Sequence, residues 1–270
     1  MKRRRMKMQY TANDHTFVIC AYKQSSYLEE CIVSLENQSV KSKIILATST
    51  PNEYISQLCE KYGIEIFINN GIKGIGGDWN FAYDSVKTPL VTIAHQDDIY
   101  LEDYLKVILE ALNRATNPVM GFCHYAELRD GEKVYKNRNL KIKKLMLSPL
   151  KINSSSRFFK RLVIAYGNPI CCPAVTYVRD KVGPSPFTND FGSNIDWQQW
   201  ERLSNIKGSF AYTDAQQMCH RVHDESTTSD LINDNSRTKE DYEMLLRFHT
   251  KPVAKLLIKP YSKSQDSNQL

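Results

Sequence analysis

Short runs of β-forming residues alternate with amphipathic helical stretches over the first 125 residues, and this rhythm restricts the chain to an α/β fold with a mostly parallel sheet flanked by helices. Phe17 to Ala21 reads as the first strand. Ser26 and Glu29 have capping-box spacing, and Leu28, Cys31, Ile32 and Leu35 recur on one face of the helix that follows. Lys43 to Ala47 is a second strand. Thr50, Pro51 and Glu53 then hold the positions of an N-cap, a first-turn proline and a capping acid for a helix that ends before Gly63. Strands at Glu65 to Ile68 and Leu90 to Ala94 bracket a helix over Asp78 to Val86, and a helix at Glu102 to Ala115 leads into a strand at Val119 to Tyr125.

Beyond that point the rhythm breaks. Asp130-Gly131 reads as a hairpin turn, Ser155 to Tyr166 as a helix, Ala174 to Val178 as a strand and Trp197 to Leu203 as a helix, with no internal repeat. In open sheets of this kind ligands bind beyond the carboxyl ends of the strands, so function is expected just after Ala21, Ala47, Ile68 and Ala94.

Composition narrows the function classes. With 270 residues, 41% of them hydrophobic, the chain can bury a core. Its longest apolar runs fall far short of the roughly 20 residues that span a bilayer. The opening MKRRRMKMQYTANDH is basic but no apolar stretch follows it, so a cytoplasmic location is expected. The seven cysteines lack any CxxC spacing and read as buried free thiols, the adjacent Cys171 and Cys172 included. The 36 Lys and Arg are interspersed with 30 Asp and Glu, so a nucleic-acid partner is not expected. The basic excess gathers at the two ends and between Lys133 and Lys160. The clusters Lys2 to Lys7, Lys141 to Lys144 and Lys251 to Lys259 suit either acidic phospholipid, a phosphorylated substrate or a solvated surface. The tail, with its KPVAKLLIKP segment, suggests peripheral contact with a membrane.

Two segments carry chemistry. His95-Gln96-Asp97-Asp98 sets two adjacent carboxylates at the end of the fourth strand, where a hard divalent cation can be held against a diphosphate. The competing role for such a pair is a helix N-cap with an exposed neighbour. Upstream, Gly71-Ile72-Lys73-Gly74-Ile75-Gly76-Gly77-Asp78-Trp79-Asn80 puts glycines before a helix whose free N–H groups can approach a nucleotide. It is neither a Walker loop nor GxGxxG.

The order of these pieces resembles a family 2 glycosyltransferase with the Rossmann-related GT-A fold. FVICAYKQSSYLEECIVSLENQ matches the family's opening strand and helix, and GIGGDWNFAYDSVKTPLVTIAHQDDIY matches its glycine-rich stretch, hydrophobic strand and DXD-type acids. The resemblance is strong from Phe17 to Leu112. It implies that Tyr22 lies beside the nucleobase, that Asp97 and Asp98 ligate Mn²⁺ or Mg²⁺, and that Ser49, Asp78, Asn80 and Gln96 lie near the nucleotide sugar. A helix cap is the competing role for Asp78, and packing on the sheet is that for Tyr22. Two positions depart from the family pattern: His95 stands for the first DXD acid, and Thr48-Ser49-Thr50 for acids after the second strand.

In the second half, Asn194-Ile195-Asp196-Trp197-Gln198-Gln199-Trp200 resembles the family's acid-Asp-Trp segment, which implies Asp196 as catalytic base. Trp197 and Trp200 are candidates to stack on the acceptor sugar, with burial as the competing role. His220-Arg221-Val222-His223-Asp224-Glu225-Ser226 resembles the R-x-H-x-x-S segment of the C-terminal loop, which implies His223 at the metal and Arg221 at the diphosphate. Residues 1–125 are therefore expected to form the nucleotide-sugar half, 126–237 an acceptor-side elaboration carrying the base, and 238–270 a helical basic tail. The expected activity is inverting hexosyl transfer from a nucleotide-diphosphate sugar to a glycan or lipid-linked hydroxyl, in bacterial surface polysaccharide synthesis at the inner membrane face. A noncatalytic nucleotide-sugar binder of the same fold is the rival, and the missing acids are its motive.

Overall fold

The computed structural model describes residues 9–223 and 236–265. The first half runs β1 (His15–Ala21), α1 (Leu28–Glu36), β2 (Lys43–Thr48), α2 (Glu53–Tyr62), β3 (Glu65–Ile68), α3 (Ile75–Ser85), β4 (Leu90–His95), β5 (Ile99–Tyr100) and α4 (Tyr104–Arg114). The second runs β6 (Pro118–Arg129), β7 (Glu132–Val134), α5 (Arg138–Leu147), α6 (Leu150–Asn153), α7 (Arg157–Ile164), β8 (Val175–Val178), α8 (Arg179–Val182), α9 (Ile195–Ser204) and β9 (Ser209–Val222). Two helices close the described chain, α10 (Ser236–Leu246) and α11 (Lys251–Gln265).

The strands form one mixed sheet in the order β3-β2-β1-β4-β8-β6-β9-β5, with β7 paired to β6. β3, β2, β1 and β4 are mutually parallel, as the strand-helix alternation requires. β8 enters antiparallel to both β4 and β6, and β9 returns parallel to β6. The chain is thus an α/β fold whose parallel half is continued by later strands.

Side chains of β1 alternate between the two faces. Val18 joins a core with Ile45, Val91, Trp197, Trp200 and Phe210, whereas Phe17 and Ile19 join another with Leu46, Leu58 and Leu105. On α1, Leu28, Cys31, Ile32 and Leu35 are all at most 2% exposed. Each large apolar side chain so buried stabilises by about 1.5–3 kcal/mol.

Several local expectations shift. Ser26 does not cap α1; the N-cap is Tyr27, and Glu29 instead accepts from Lys61 Nζ at 2.6 Å and Tyr62 Oη at 2.8 Å. Asn52, not Thr50, caps α2, its side chain accepting from Ile55 N at 3.0 Å. α3 starts at Ile75, three residues earlier than read, because Gly76 and Gly77 sit inside its first turn. A Cβ on Gly77 would run into the carbonyl of Ile72, and one on Gly76 into Thr188 and Asn189. These two glycines serve close packing. The hairpin at Asp130-Gly131 forms with both residues at positive φ, 49° and 81°, as a two-residue I′ turn demands.

The span read as one helix over Ser155 to Tyr166 is α7, shorter at both ends. The tail is helical, and Met244, Leu245 and Ala254 are buried in the main core. Lys2 to Lys7 and the end of the R-x-H-x-x-S segment, Asp224 to Ser226, lie outside the described residues. No described helix is long and apolar enough to cross a membrane. All seven cysteines are free, but Cys20 and Cys171 are only partly buried.

Candidate active site

The parallel registers bring three strand ends level: Ala21 pairs with Thr48, and Cys20 with His95. Residues that follow these strands therefore share one rim. Gln96 locks onto Tyr22 reciprocally, its Oε1 accepting from Tyr22 N and its Nε2 donating to Tyr22 O, both at 3.0 Å. This fixes the backbone of Tyr22 while leaving the residue 51% exposed. An exposed aromatic ring at a strand end offers a flat face to a base, and the Lys23 ammonium lies over this one at 5.1 Å.

Beside it, Ser49 Oγ donates to Asp78 Oδ2 at 3.0 Å, and Asn69 Nδ2 donates to Asp78 Oδ1 at 2.8 Å. Asp78 thus joins the ends of β2 and β3 to the first turn of α3; the cap of that helix is Gly74, so the capping role does not hold. Asn80 behaves otherwise. Its Nδ2 donates to Phe187 O and its Oδ1 accepts from Phe187 N, both at 2.8 Å, so both ends of the amide hold the 183–194 connection. The expected nucleotide contact from Asn80 is corrected to a staple.

The acids after β4 are organised by the far end of β9. Asp98 is fully enclosed; its Oδ1 accepts from Arg221 N at 2.9 Å and faces His220 Nδ1 at 3.0 Å. Asp97 Oδ2 faces His223 Nε2 at 3.0 Å, and its carbonyl accepts from Arg221 Nε at 2.8 Å. Burial acts to raise the Asp97 carboxyl, but the His223 bond and the imidazoles of His95, His220 and His223 outweigh it and leave it below its usual value. Burial pushes His220 down, but Asp98 and Asp97 together outweigh it, and the group ends above its usual value.

Arg221 is committed as well: its guanidinium lies 4.1 Å from the Tyr27 ring centroid and pairs with Glu30. It clasps α1 to the acid loop and does not reach out toward a diphosphate, which corrects that expectation. His223, by contrast, sits directly against the Asp97 carboxylate.

One ligand atom each from His95, Asp97 and Asp98 lies within 4.8 Å of the others. Two of the enclosed atoms there, Asp98 Oδ2 and His95 Nε2, have no hydrogen-bond partner among the described residues. Orphaned buried atoms of this kind are costly unless something binds them, so the set fits a divalent cation. The imidazole at the place of the first acid is itself a ligand type, and its ring is held by stacking on Trp79 at 5.2 Å.

Asp196 opens α9. Its Oδ1 accepts from Trp197 N and its Oδ2 from Asn168 Nδ2, both at 2.7 Å. Burial raises its carboxyl above the usual value in spite of both bonds. Burial pushes the thiols of Cys171 and Cys172 well above their usual value, and the charges of Asp98 and Asp196 add to the shift. Trp197 and Trp200 are fully buried, Trp197 Nε1 donating to Ile164 O at 2.9 Å. Neither ring has a face open to a sugar, so the expected stacking role is corrected: at i and i+3 on α9, both point into the core.

Comparison with known proteins fixes the family. The model of glycosyl transferase family 2 matches residues 16–182. The chain belongs to this family. No curated protein sequence matches it. Solved structures similar to this family 2 chain include mannosyltransferase PcManGT from Pyrobaculum calidifontis in complex with GDP-Man and Mn²⁺, at TM-score 0.62 and 12% identity over 94% of this chain and 70% of that one. Residues 1–349 of S. aureus TarS with UDP-GlcNAc align at 0.57 and 13%, over 90% and 70%. Glucosyl-3-phosphoglycerate synthase from Mycobacterium tuberculosis with Mn²⁺ and UDP-glucose aligns at 0.54 and 13%, over 87% and 78%. At such identities the likeness shows the GT-A fold. Asp196 and the 220–223 segment lie beyond the matched residues, so the family match does not bear on them.

Four residues at the site escape a motif-based reading. His95 looks like a lost acid, and His220 is one of two histidines flanking Arg221. Asn168 meets Asp196 from 28 positions away. Glu240 on α10 accepts from the backbone N–H of Gly192, Ser193 and Asn194 at 2.6, 2.8 and 3.0 Å, clamping the loop that leads into α9 and Asp196. Its only sequence signal is an acid in an ordinary amphipathic helix.

Proposed function

We propose that this glycosyltransferase inverts the anomeric carbon in a single displacement, moving a hexose from a nucleotide-diphosphate donor to a hydroxyl of a glycan or lipid-linked acceptor in surface polysaccharide synthesis. Residues 1–125 bind the donor and 126–237 carry the base. Tyr22 stacks on the base, and the Ser49 and Asp78 pair bonds the nucleoside beside it. His95, Asp97 and Asp98 would hold Mn²⁺ or Mg²⁺, with His223 on Asp97; the imidazole favours Mn²⁺. The cation, when bound, offsets the charge that builds on the departing diphosphate.

Asp196 takes the proton of the acceptor hydroxyl as its oxygen forms the new bond to the anomeric carbon and the bond to the diphosphate breaks. A raised carboxyl pKa suits it to that role, since a base nearer the working pH accepts a proton more readily. The supporting observation is the cluster of His95, Asp97 and Asp98 at the end of β4, in which the enclosed Asp98 Oδ2 and His95 Nε2 have no hydrogen-bond partner among the described residues.

The test is a panel of nucleotide sugars with Mn²⁺, read by thermal stabilisation and then by release of nucleoside diphosphate in the presence of acceptor glycans. One sugar should both stabilise and turn over. Stabilisation without turnover on any acceptor would identify a noncatalytic binder instead.

A further inference from the structure

Between Lys133 and Lys160 the chain carries nine Lys and Arg and no Asp or Glu. Removing nine positive charges from a net +6 leaves the remainder at −3, so this stretch holds more than the whole positive surplus. It forms α5, α6 and the start of α7, which pack against one another. On α5, Leu140 and Leu147 are buried in the body, which fixes the opposite side outward. That outward side carries Arg138, Lys141, Ile142 and Leu145, all exposed. Lys144 on α5 and Lys151 on α6 both pair with Asp214 of β9, at 3.5 and 2.5 Å, tying the two helices to the sheet.

The exposed apolar tips are large. Leu145 is 72% exposed, Ile152 76% and Phe158 68%, and Ile142, one turn before Leu145 on α5, is 46% exposed. A solvated basic surface has no use for such tips, and neither phosphate nor nucleobase contacts explain three aliphatic ones. A bilayer interface takes both kinds of group: aliphatic ends enter the acyl boundary while the cations meet anionic headgroups.

We propose that the outer face of α5, α6 and α7 docks on an anionic phospholipid bilayer. Behind this face α7 packs against α9, Trp197 Nε1 donating to Ile164 O at 2.9 Å, and Asn168 just beyond α7 donates to Asp196 Oδ2 at 2.7 Å. Docking therefore brings the acceptor side of the cleft toward the membrane, and this orientation, unlike the docking itself, rests on Asp196 being the base. The occupied face presents a lipid-linked hydroxyl to the enzyme at the surface where that lipid resides.

The test is co-sedimentation of the full chain with phosphatidylcholine vesicles, with and without phosphatidylglycerol. The comparison includes the variant Leu145→Ser with Ile152→Ser and Phe158→Ser, and the variant Arg138→Gln with Lys141→Gln. Circular dichroism and melting temperature check that each folds. A control, Val253→Ser with Leu256→Ser, removes the exposed apolar tips of α11. Wild type and control should bind only the anionic vesicles, and each test variant should bind them at least about tenfold more weakly. Equal binding to neutral vesicles, undiminished binding by the serine variant, or loss of binding in the α11 control alone would overturn the proposal. So would binding of an RNA oligonucleotide without vesicle binding. Vesicle binding is measured without donor, so Asp196→Asn must leave it intact; loss of turnover and loss of docking are thereby told apart.

Discussion

Asp196→Asn separates chemistry from folding in one substitution. The carboxylate accepts two hydrogen bonds at 2.7 Å, from Trp197 N and Asn168 Nδ2, and burial still holds its pKa above the usual value. A carboxyl raised in the folded state contributes stability that is present below its unfolded value and is lost as pH rises through the folded one. At neutral pH the charge therefore works against folding. An asparagine keeps the bond from Trp197 N, and a turn of the Asn168 amide supplies an acceptor for the new NH₂ group. Losing charge assistance at both bonds sacrifices about 1–2 kcal/mol. Relieving the buried charge returns at least as much, because the direction of the pKa shift says burial outweighs the bonds. The net expectation is a change between zero and a gain of about 1 kcal/mol, or a rise of up to about 4 °C in melting temperature for a chain of this size. Turnover, by contrast, should fall about 10²–10⁴-fold with donor affinity unchanged. Differential scanning fluorimetry, donor titration calorimetry and nucleoside diphosphate release read the three quantities. The rising limb of the wild-type pH–kcat profile should lie above the range of an ordinary carboxylate and vanish in the variant. A melting temperature lower by more than about 4 °C would refute the burial reasoning, and turnover within tenfold of wild type would remove Asp196 as the base.

Three further outcomes follow from the site and its frame. Mn²⁺ with a nucleoside diphosphate at about 100 times the dissociation constant should stabilise wild type by about 2.7 kcal/mol, and Asp97→Asn should abolish the metal-dependent part of the thermal shift. Glu240→Ala leaves three backbone N–H groups of the 192–194 loop without their acceptor; it should lower stability by about 1–3 kcal/mol and kcat with unchanged donor affinity, and Glu240→Gln should restore part of both in the same assays. Gly77→Ala forces a methyl against the Ile72 carbonyl and should cost about 1–3 kcal/mol in denaturant unfolding, whereas an alanine at an open helical position would be favourable.

The parallel half of the fold is legible because each strand there is a compact apolar run bounded by turn residues and each helix has a clean buried face. β9 escapes notice although it is 14 residues long. Its middle, Thr213 to Gln217, is polar and half-buried, and it pairs with β6 through register shifts that break the alternation. α5 escapes because Leu140 and Leu147 are the only residues it buries. The acids of the site are legible as a motif, but their partners are not: His220, Arg221 and His223 reach Asp97 and Asp98 across more than 120 positions. Trp197 and Trp200 show the opposite error, since residue type alone cannot say whether an aromatic at helix spacing faces core or solvent.

That long reach sets a timetable for the newborn enzyme. During synthesis Asp97 and Asp98 leave the ribosome well before the residues that orient them, and β9 must find its place beside β6 across a wide loop, a slow step for any chain. Until it does, Asp98 has neither the Arg221 amide nor His220 to hold it. On the proposed roles of these acids, donor binding should therefore await β9, and a fragment that stops short of His220 should keep the glycines and acids yet lack the contacts that orient them.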